Sequence, residues 1–301
     1  LKPKHAALLA VLVANMIFGI NFVVAKSIMP DFMLPRAIIF IRVCGAAIIF
    51  WFLQLFQKKE KVSISDLGLM AIASVLGIAM NQIMFFEGLN LSTPINSSII
   101  MVGVPINVIL FSWILRGETL DKIKILGIIL GTIGAVSLII GGGTLNLSRN
   151  TMLGNLLNFI NASSYALFMV LIKPMMMKYR PLTVMRWVFL FGALVVIPFT
   201  APVFVKTDFH AIPWNIWFNI AYIILFTTVI AYFLNNYSLV HISPTTNSAF
   251  IYIQPVIAGT LSILSGKDQL RFHFMIPAIL IFTGVYLVSI YKQAGSIDPE
   301  I

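Results

Sequence analysis

The sequence predicts an all-α membrane protein of ten transmembrane helices, built as two inverted five-helix repeats. Three observations carry this. Hydrophobic residues make up 59% of the 301-residue chain and charged residues 10%, with a mean hydropathy of +0.99. That is too apolar for a fold that must cover itself with polar groups. The apolar runs are about 20 residues long and lack the period-two alternation of a lipid-facing strand, which selects helices over a barrel. The chain also reads twice. Gly88-Leu-Asn-Leu-Ser-Thr-Pro94 returns as Ser238-Leu-Val-His-Ile-Ser-Pro244. Leu89/Leu239, Pro94/Pro244, Ser98/Ser248, Pro105/Pro255, Glu118/Asp268, Leu120/Leu270, Leu130/Leu280 and Gly134/Gly284 keep one spacing of about 150 without a gap. An odd number of spans in each copy turns the second upside down relative to the first, the pattern of many secondary transporters.

Cutting at charges, prolines and turn formers places the helices near 5–27, 34–56, 66–87, 93–115, 121–141, 152–173, 182–203, 214–234, 244–265 and 271–292. The first follows Leu1-Lys-Pro-Lys-His5. Its apolar run is too long for a signal peptide, lacks a small-residue cleavage pattern and carries Asn15 and Asn21, so it reads as a span. The links are short, and Gly141 to Asn150 is the connector between repeats over 1–145 and 146–301. In the first helices of each half the spacing is about 147: Phe18 to Lys26 matches Tyr165 to Lys173, and Gly45 matches Gly192. Three residues are therefore expected to have been gained in the loop after the seventh span.

The net charge of +10 raises nucleic acid as a partner, but the bases cluster in short loops beside apolar spans, where they orient a membrane protein. One side collects Lys2, Lys4, Lys58, Lys59, Lys61, Arg116, Lys122, Lys124, Lys173, Lys178, Arg180, Arg186 and Lys292. The other collects Lys26, Arg36, Arg149, Lys206, Lys267 and Arg271. The bias of about two to one places both termini in the cytoplasm, in a cell inner (plasma) membrane. Cys44 is the only cysteine, so neither an internal disulfide nor a thiolate metal site forms. His5, His210, His241 and His273 show no HxxxH or HExxH spacing, no phosphate-binding Gly-x-x-x-x-Gly-Lys-Ser/Thr loop occurs, and Ser, His and Asp share no face. Neither an enzyme nor a cofactor or metal is expected.

In Phe18-Gly19-Ile20-Asn21-Phe22 with Lys26, in Pro35 and Arg42, and in Pro94, Ser98, Pro105 and Gly117-Glu118 with their repeat in Pro244, Pro255 and Asp268, the chain resembles the drug/metabolite transporter superfamily. The resemblance is specifically to its ten-helix EamA-type members and covers nearly the whole chain. Two positions depart from the family pattern: Phe18 stands for a tryptophan, and Lys267-Asp268 for a Gly-Glu pair. The resemblance implies a central cavity and export of small metabolites, with amino acids or related compounds the leading class, by alternating access. A passive facilitator or channel, a carrier of nucleotide sugars or phosphorylated metabolites, and a receptor or assembly factor are the rival classes. The last would need a sizeable loop or tail, and the sugar-nucleotide carrier several inward bases. Besides substrate and lipid bilayer, the sequence leaves open proton coupling and a monomeric or homodimeric state.

A cavity needs inward polar groups at mid-depth. Arg42 is the costliest, on the order of 3 kcal/mol on insertion scales, and reads as an anion site or gate, or as a structural side chain bonded to carbonyls. The helices that the family places around its cavity supply Asn21, Asn81, Gln82, Asn96, Tyr165, Tyr232, Asn247, Tyr252 and Gln254. With the proline-broken fourth and ninth spans, these suit a small polar or zwitterionic solute with an apolar body. Glu87 reads as a proton-coupling site or a solvated helix end. Gly127, Gly131 and Gly134 form a packing face, and Glu118 and Asp268 read as caps of helices five and ten.

Overall fold

The computed structural model describes residues 2–92, 97, 100–118, 121–141, 149–264 and 275–290. Pro94, Asn96, Ser98, Lys267, Asp268 and most of the connector lie outside the described residues. Among those described there is no strand and, besides a 3-10 turn at Phe209–Ala211, the main helices are ten. They are α1 (Pro3–Ile28), α2 (Pro35–Gln54), α3 (Ile64–Leu91), α4 (Val104–Arg116), α5 (Lys122–Gly141), α6 (Arg149–Lys178), α7 (Pro181–Val205), α8 (Trp214–His241), α9 (244–264) and α10 (Met275–Ile290). Within the described residues α1, α2, α3, α6, α7 and α8 are each long and apolar enough to cross a bilayer, while α4 is a shorter apolar helix.

Local chemistry sets the boundaries. Pro3, Pro35, Pro181 and Pro244 open helices at the first turn, where a missing N–H costs nothing and φ is already helical. Ser63 caps α3 by accepting the Asp66 amide at 3.2 Å, and Ser243 caps α9 by accepting the Thr246 amide at 3.1 Å. Gly117, at φ +60°, ends α4 in a left-handed turn that only glycine adopts cheaply. Asp121, not Glu118, caps α5, through the Ile123 amide at 2.8 Å; Glu118 instead pairs with Arg116 at 3.3 Å.

Packing follows an approximate twofold that exchanges the first five helices with the last five. α5 packs along α10 and α2 along α7; α3 with α6 mirrors α8 with α1, and α4 with α6 mirrors α9 with α1. The α5–α10 seam needs glycine. A methyl on Gly127 would lie 2.8 Å from the Gly284 carbonyl, and one on Gly134 2.7 Å from the Pro277 carbonyl. Because Gly127 aligns with Pro277 and Gly134 with Gly284, these two close approaches are one contact repeated by the symmetry.

Both copies also break their third helix alike. α3 widens into a π-helical turn at Val75–Met80 and α8 at Ile223–Ile230. Such a turn leaves carbonyls without their usual donor. Ser164 donates to the Leu76 carbonyl at 2.6 Å, and Thr228 to the Ile223 carbonyl at 2.7 Å.

Three expectations need correction. The sixth helix does not stop at Lys173 but runs through Pro174 to Lys178. The extra residues of the second half lie in α7, with 25 residues against 20 in α2, rather than in the loop that follows. Lys173 and Arg186, counted above as loop bases, are buried: Lys173 against α8, and Arg186 with its guanidinium 5.1 Å from the Trp51 ring and 5.4 Å from the Trp187 ring. A base at a helix end can turn inward wherever carbonyls or aromatic faces stand in for water.

The face carrying Lys58, Lys59, Lys61, Lys178 and Arg180 is here termed the basic face. There the α2–α3 link meets the α6–α7 junction: Lys178 pairs with Asp66 at 2.6 Å, the Tyr179 hydroxyl donates to the same carboxylate at 2.6 Å, and the Arg180 amide donates to Glu60 at 3.0 Å. On the opposite face Glu87 pairs with Arg36 at 2.8 Å, so the helix end that carries Glu87 is tied by an ion pair at the rim.

Candidate functional cavity

At mid-depth the two halves enclose a cavity with a free volume of about 70 Å³. α1 contributes Phe18, Asn21 and Phe22, α2 Arg42, α3 Asn81, Gln82 and Phe85, α6 Asn161 and Tyr165, α8 Thr227 and Tyr232, and α9 Gln254, with Met101 and Ile251 completing the wall.

The π-helical turns explain why the polar residues of α3 and α8 face inward. Each inserts a residue just before the pairs Asn81–Gln82 and Ala231–Tyr232 and so resets the face they present. Gln82 Nε2 then donates to the Tyr232 hydroxyl at 2.8 Å, and that hydroxyl donates to Asn81 Oδ1 at 2.9 Å. The Tyr232 ring is held edge-on by Phe18 at 5.8 Å and Phe189 at 5.5 Å.

Arg42 is 3% exposed and has no acidic partner among the described residues. Its Nε donates to Thr228 Oγ1 at 2.9 Å, and the guanidinium lies 4.8 Å from the centre of the Phe86 ring. Both partners are neutral, and the described lining residues include no Asp or Glu. The wall therefore carries one uncompensated positive charge.

Opposite in character are two buried amide oxygens on residues that line the cavity, Asn21 Oδ1 and Asn161 Oδ1, which have no hydrogen-bond partner among the described residues. The Asn161 amide nitrogen is fixed, donating to the Asn81 carbonyl at 2.6 Å, which leaves its oxygen free. A buried acceptor left unmatched costs about 1–3 kcal/mol, and both of these oxygens belong to residues of the cavity wall.

Of the ten residues expected from the sequence, seven meet here: Asn21, Arg42, Asn81, Gln82, Tyr165, Tyr232 and Gln254. Tyr165 accepts from Asn235 Nδ2 at 2.9 Å, and Gln254 Nε2 donates to Asn15 Oδ1 at 2.8 Å, so both are anchored from behind. Asn247 and Tyr252 lie elsewhere. Asn247 joins α9 to α8 through the Asn235 carbonyl at 2.9 Å and Ser238 Oγ at 2.5 Å. The Tyr252 hydroxyl meets Thr132 Oγ1 at 2.8 Å and the Ile128 carbonyl at 3.3 Å, which ties α9 to α5. Asn96 falls outside the described residues. Asn161, Thr227 and Thr228 were missed. Asn158, Asn161 and Tyr165 recur at helical spacing on one face of α6, a signal sufficient to find Asn161; the two threonines sit in an unbroken apolar run that offers none. Among the described residues no cluster of His, Cys, Asp or Glu is placed to hold a metal.

Comparison with known proteins gives one consistent picture. The pattern of the EamA-like transporter family matches the chain twice, over residues 5–140 and 152–290. The uncharacterized transporter YyaM of Bacillus subtilis is 27% identical over 77% of this chain and 74% of its own. An uncharacterized transporter of Archaeoglobus fulgidus is 25% identical over 73% and 75%, and the WAT1-related protein At3g18200 of Arabidopsis thaliana 25% over 79% and 69%. One solved crystal structure superposes with a TM-score of 0.75 at 16% identity, covering 94% of this chain and 96% of the other, a likeness of fold.

Proposed function

The chain belongs to the EamA-like transporter family, and on that premise we propose that it exports small zwitterionic metabolites, α-amino acids and their close relatives, by alternating access. It is a membrane transporter of ten helices in two inverted repeats. The repeats extend over 1–145 and 146–301, the basic face lies in the cytoplasm, and the membrane is the cell's inner membrane.

The observation that carries the reading is the coexistence, among the residues lining one cavity, of a guanidinium whose partners are neutral and two amide oxygens with no hydrogen-bond partner among the described residues. Arg42 receives the carboxylate, for which its planar fork of donors is suited. Asn21 Oδ1 and Asn161 Oδ1 accept from the ammonium. Phe18, Phe22, Phe85 and Tyr165 meet the apolar body of the solute. Asn81, Gln82 and Tyr232 form the network that fixes the floor, and Gln254 braces it from α9. In a wall with one positive charge and no carboxylate among the described lining residues, a simple cation meets repulsion and a dianionic phosphate ester finds a single base, while a zwitterion can set its carboxylate on Arg42 and its ammonium on the neutral amide oxygens.

The test is uptake of a labelled amino-acid panel into proteoliposomes, with and without a pH gradient, for the parent protein and for Arg42→Ala, Asn21→Ala and Gln254→Ala. Saturable uptake that the cavity variants lose is the expected result, and a response to the gradient adds proton coupling. Rates no faster than empty vesicles for every member of the panel, from protein shown to be folded, overturn the amino-acid reading.

A further inference from the structure

On the basic face α6 packs against α8 and the start of α9, and Lys173 fills the junction. The residue is 8% exposed. It donates to the Leu239 carbonyl, to the Ile242 carbonyl at 3.0 Å and to the Val240 carbonyl at 3.5 Å. These oxygens belong to the last turn of α8 and the link into α9, where a helix end leaves carbonyls without intrahelical donors and adds partial negative charge. Pro244, which follows, brings no N–H. A lysine, with three rotatable donors, can serve several such oxygens together. The cation is thus held by a helix end contributed by another helix of the same half, two turns from Tyr165 at the cavity.

The first half carries the same parts in a different arrangement. Lys26 aligns with Lys173, and Leu89 and Ser92 align with Leu239 and Ile242. α1 and α3 have no backbone packing comparable to that of α6 and α8 among the described residues. Lys26 is half-buried and makes no hydrogen bond to Leu89, Ser92 or any other described residue. Between the two helices stand the rings of Phe22 and Phe85, 5.4 Å apart. Inversion puts these equivalent junctions at opposite faces of the membrane. Among the described residues one is closed by backbone packing and Lys173, while the other is bridged by aromatic rings alone.

We propose that Lys173 and Lys26 are reciprocal latches: Lys173 on the carbonyls of Leu239 and Ile242 holds the basic face closed in this state, and Lys26 on those of Leu89 and Ser92 closes the opposite face in the other. The proposal rests on the alternating-access reading above and adds residues that position the helices without touching the cargo. Losing one charge-assisted hydrogen bond displaces such a two-state equilibrium by about tenfold.

The test reads accessibility and needs no substrate. In full-length Cys44→Ser protein, single cysteines are placed at the repeat-equivalent positions Asn235→Cys, on the Lys173 side, and Phe85→Cys, on the Lys26 side. The rate of labelling by a charged maleimide is measured in detergent. Lys173→Met is expected to raise labelling at Asn235→Cys about tenfold and to lower it at Phe85→Cys. Adding Lys26→Met is expected to return both rates toward the parent, while Lys173→Arg stays near the parent throughout. Lys173→Gln, which keeps donors and loses charge, gives the same direction and replaces Lys173→Met if that variant does not fold. The latch pair is overturned if both reporters move together, if neither moves, or if Lys26→Met adds to the effect of Lys173→Met. A chain that transports no amino acid yet shows the reciprocal pattern would lose the cargo and keep the latches.

Discussion

Gln82 and Tyr232 stand 150 positions apart, occupy equivalent places in the two repeats, and hydrogen-bond to each other across the cavity at 2.8 Å. The pseudo-twofold axis therefore passes between an amide and a phenol, and the floor of the cavity is a bond between the two halves. Rocking of the halves would alter this bond directly.

Tyr232→Phe keeps the ring against Phe18 and Phe189 and removes the hydroxyl, leaving Gln82 Nε2 and Asn81 Oδ1 unpaired. The expected loss of stability is about 1–3 kcal/mol. Adding Gln82→Leu should recover part of it, with a coupling of about 1 kcal/mol. Denaturation in detergent of the two single variants and the double measures this, and strictly additive losses would exclude the bond.

Arg42→Met should leave the protein folded, because the lost groups are a neutral hydroxyl partner and an aromatic face, and should reduce transport at least about tenfold, the share of one charge-assisted contact. Arg42→Lys should recover only part, since an ammonium offers neither the planar fork nor the same stacking on Phe86. Initial uptake rates beside melting temperatures separate loss of transport from loss of fold.

Asn161→Ala removes an unpaired oxygen together with the amide that donates to the Asn81 carbonyl, and should weaken transport of an α-amino acid as Asn21→Ala does. For the same carboxylic acid lacking its amino group, both substitutions should have little effect, because the donor they would meet is absent. Competition against labelled substrate by the two analogues reads the difference. Equal sensitivity of both analogues would place the ammonium elsewhere.

At the α5–α10 seam, Gly284→Ala puts a methyl 2.5 Å from the Gly127 carbonyl, an overpacking worth about 1–3 kcal/mol. Gly68→Ala, in α3 with nothing within 4 Å, should instead stabilise by up to about 1 kcal/mol, as expected of alanine in a helix interior. Paired melting curves check both signs.

Glu87 and Arg36 are joined near the opposite rim, 23% and 54% exposed. Exposed pairs of this kind contribute about 0–1 kcal/mol, so Glu87→Gln should change stability little and leave any pH-gradient response intact. A lost response in liposomes would restore Glu87 as a coupling group.

Legibility in the sequence divides along physical lines. Hydropathy, proline and glycine punctuation and the doubled pattern sufficed for the all-α class and the repeats, since burial in lipid leaves a long, redundant signal. Seven cavity residues were also legible, because a polar side chain in an apolar span must face something other than lipid. What that something is was not legible: Asn247 and Tyr252 turned out to join α9 to its neighbours. Thr228, the partner of Arg42, lies 186 positions away within Ile223-Ile-Leu-Phe-Thr-Thr-Val-Ile230 and carries no pattern. The π-helical turns were invisible for a related reason. They shift the helical phase by one residue, and composition does not record phase. Lys173 was misplaced because counting bases by loop assumes that a charge seeks water, whereas a helix end can take its place.

The two π-helical turns hold a record of ancestry. They sit at the same place in each half, ahead of Gln82 in one and of Tyr232 in the other. An extra residue found in both copies was present before the copying. The ancestral half-length chain thus already carried the widened turn, and two such chains meeting head to tail in the membrane would have set a single residue against itself at what is now the Gln82–Tyr232 bond. In the present chain the two equivalents differ, a donor amide meeting an accepting phenol, a pairing that no symmetric pair could provide.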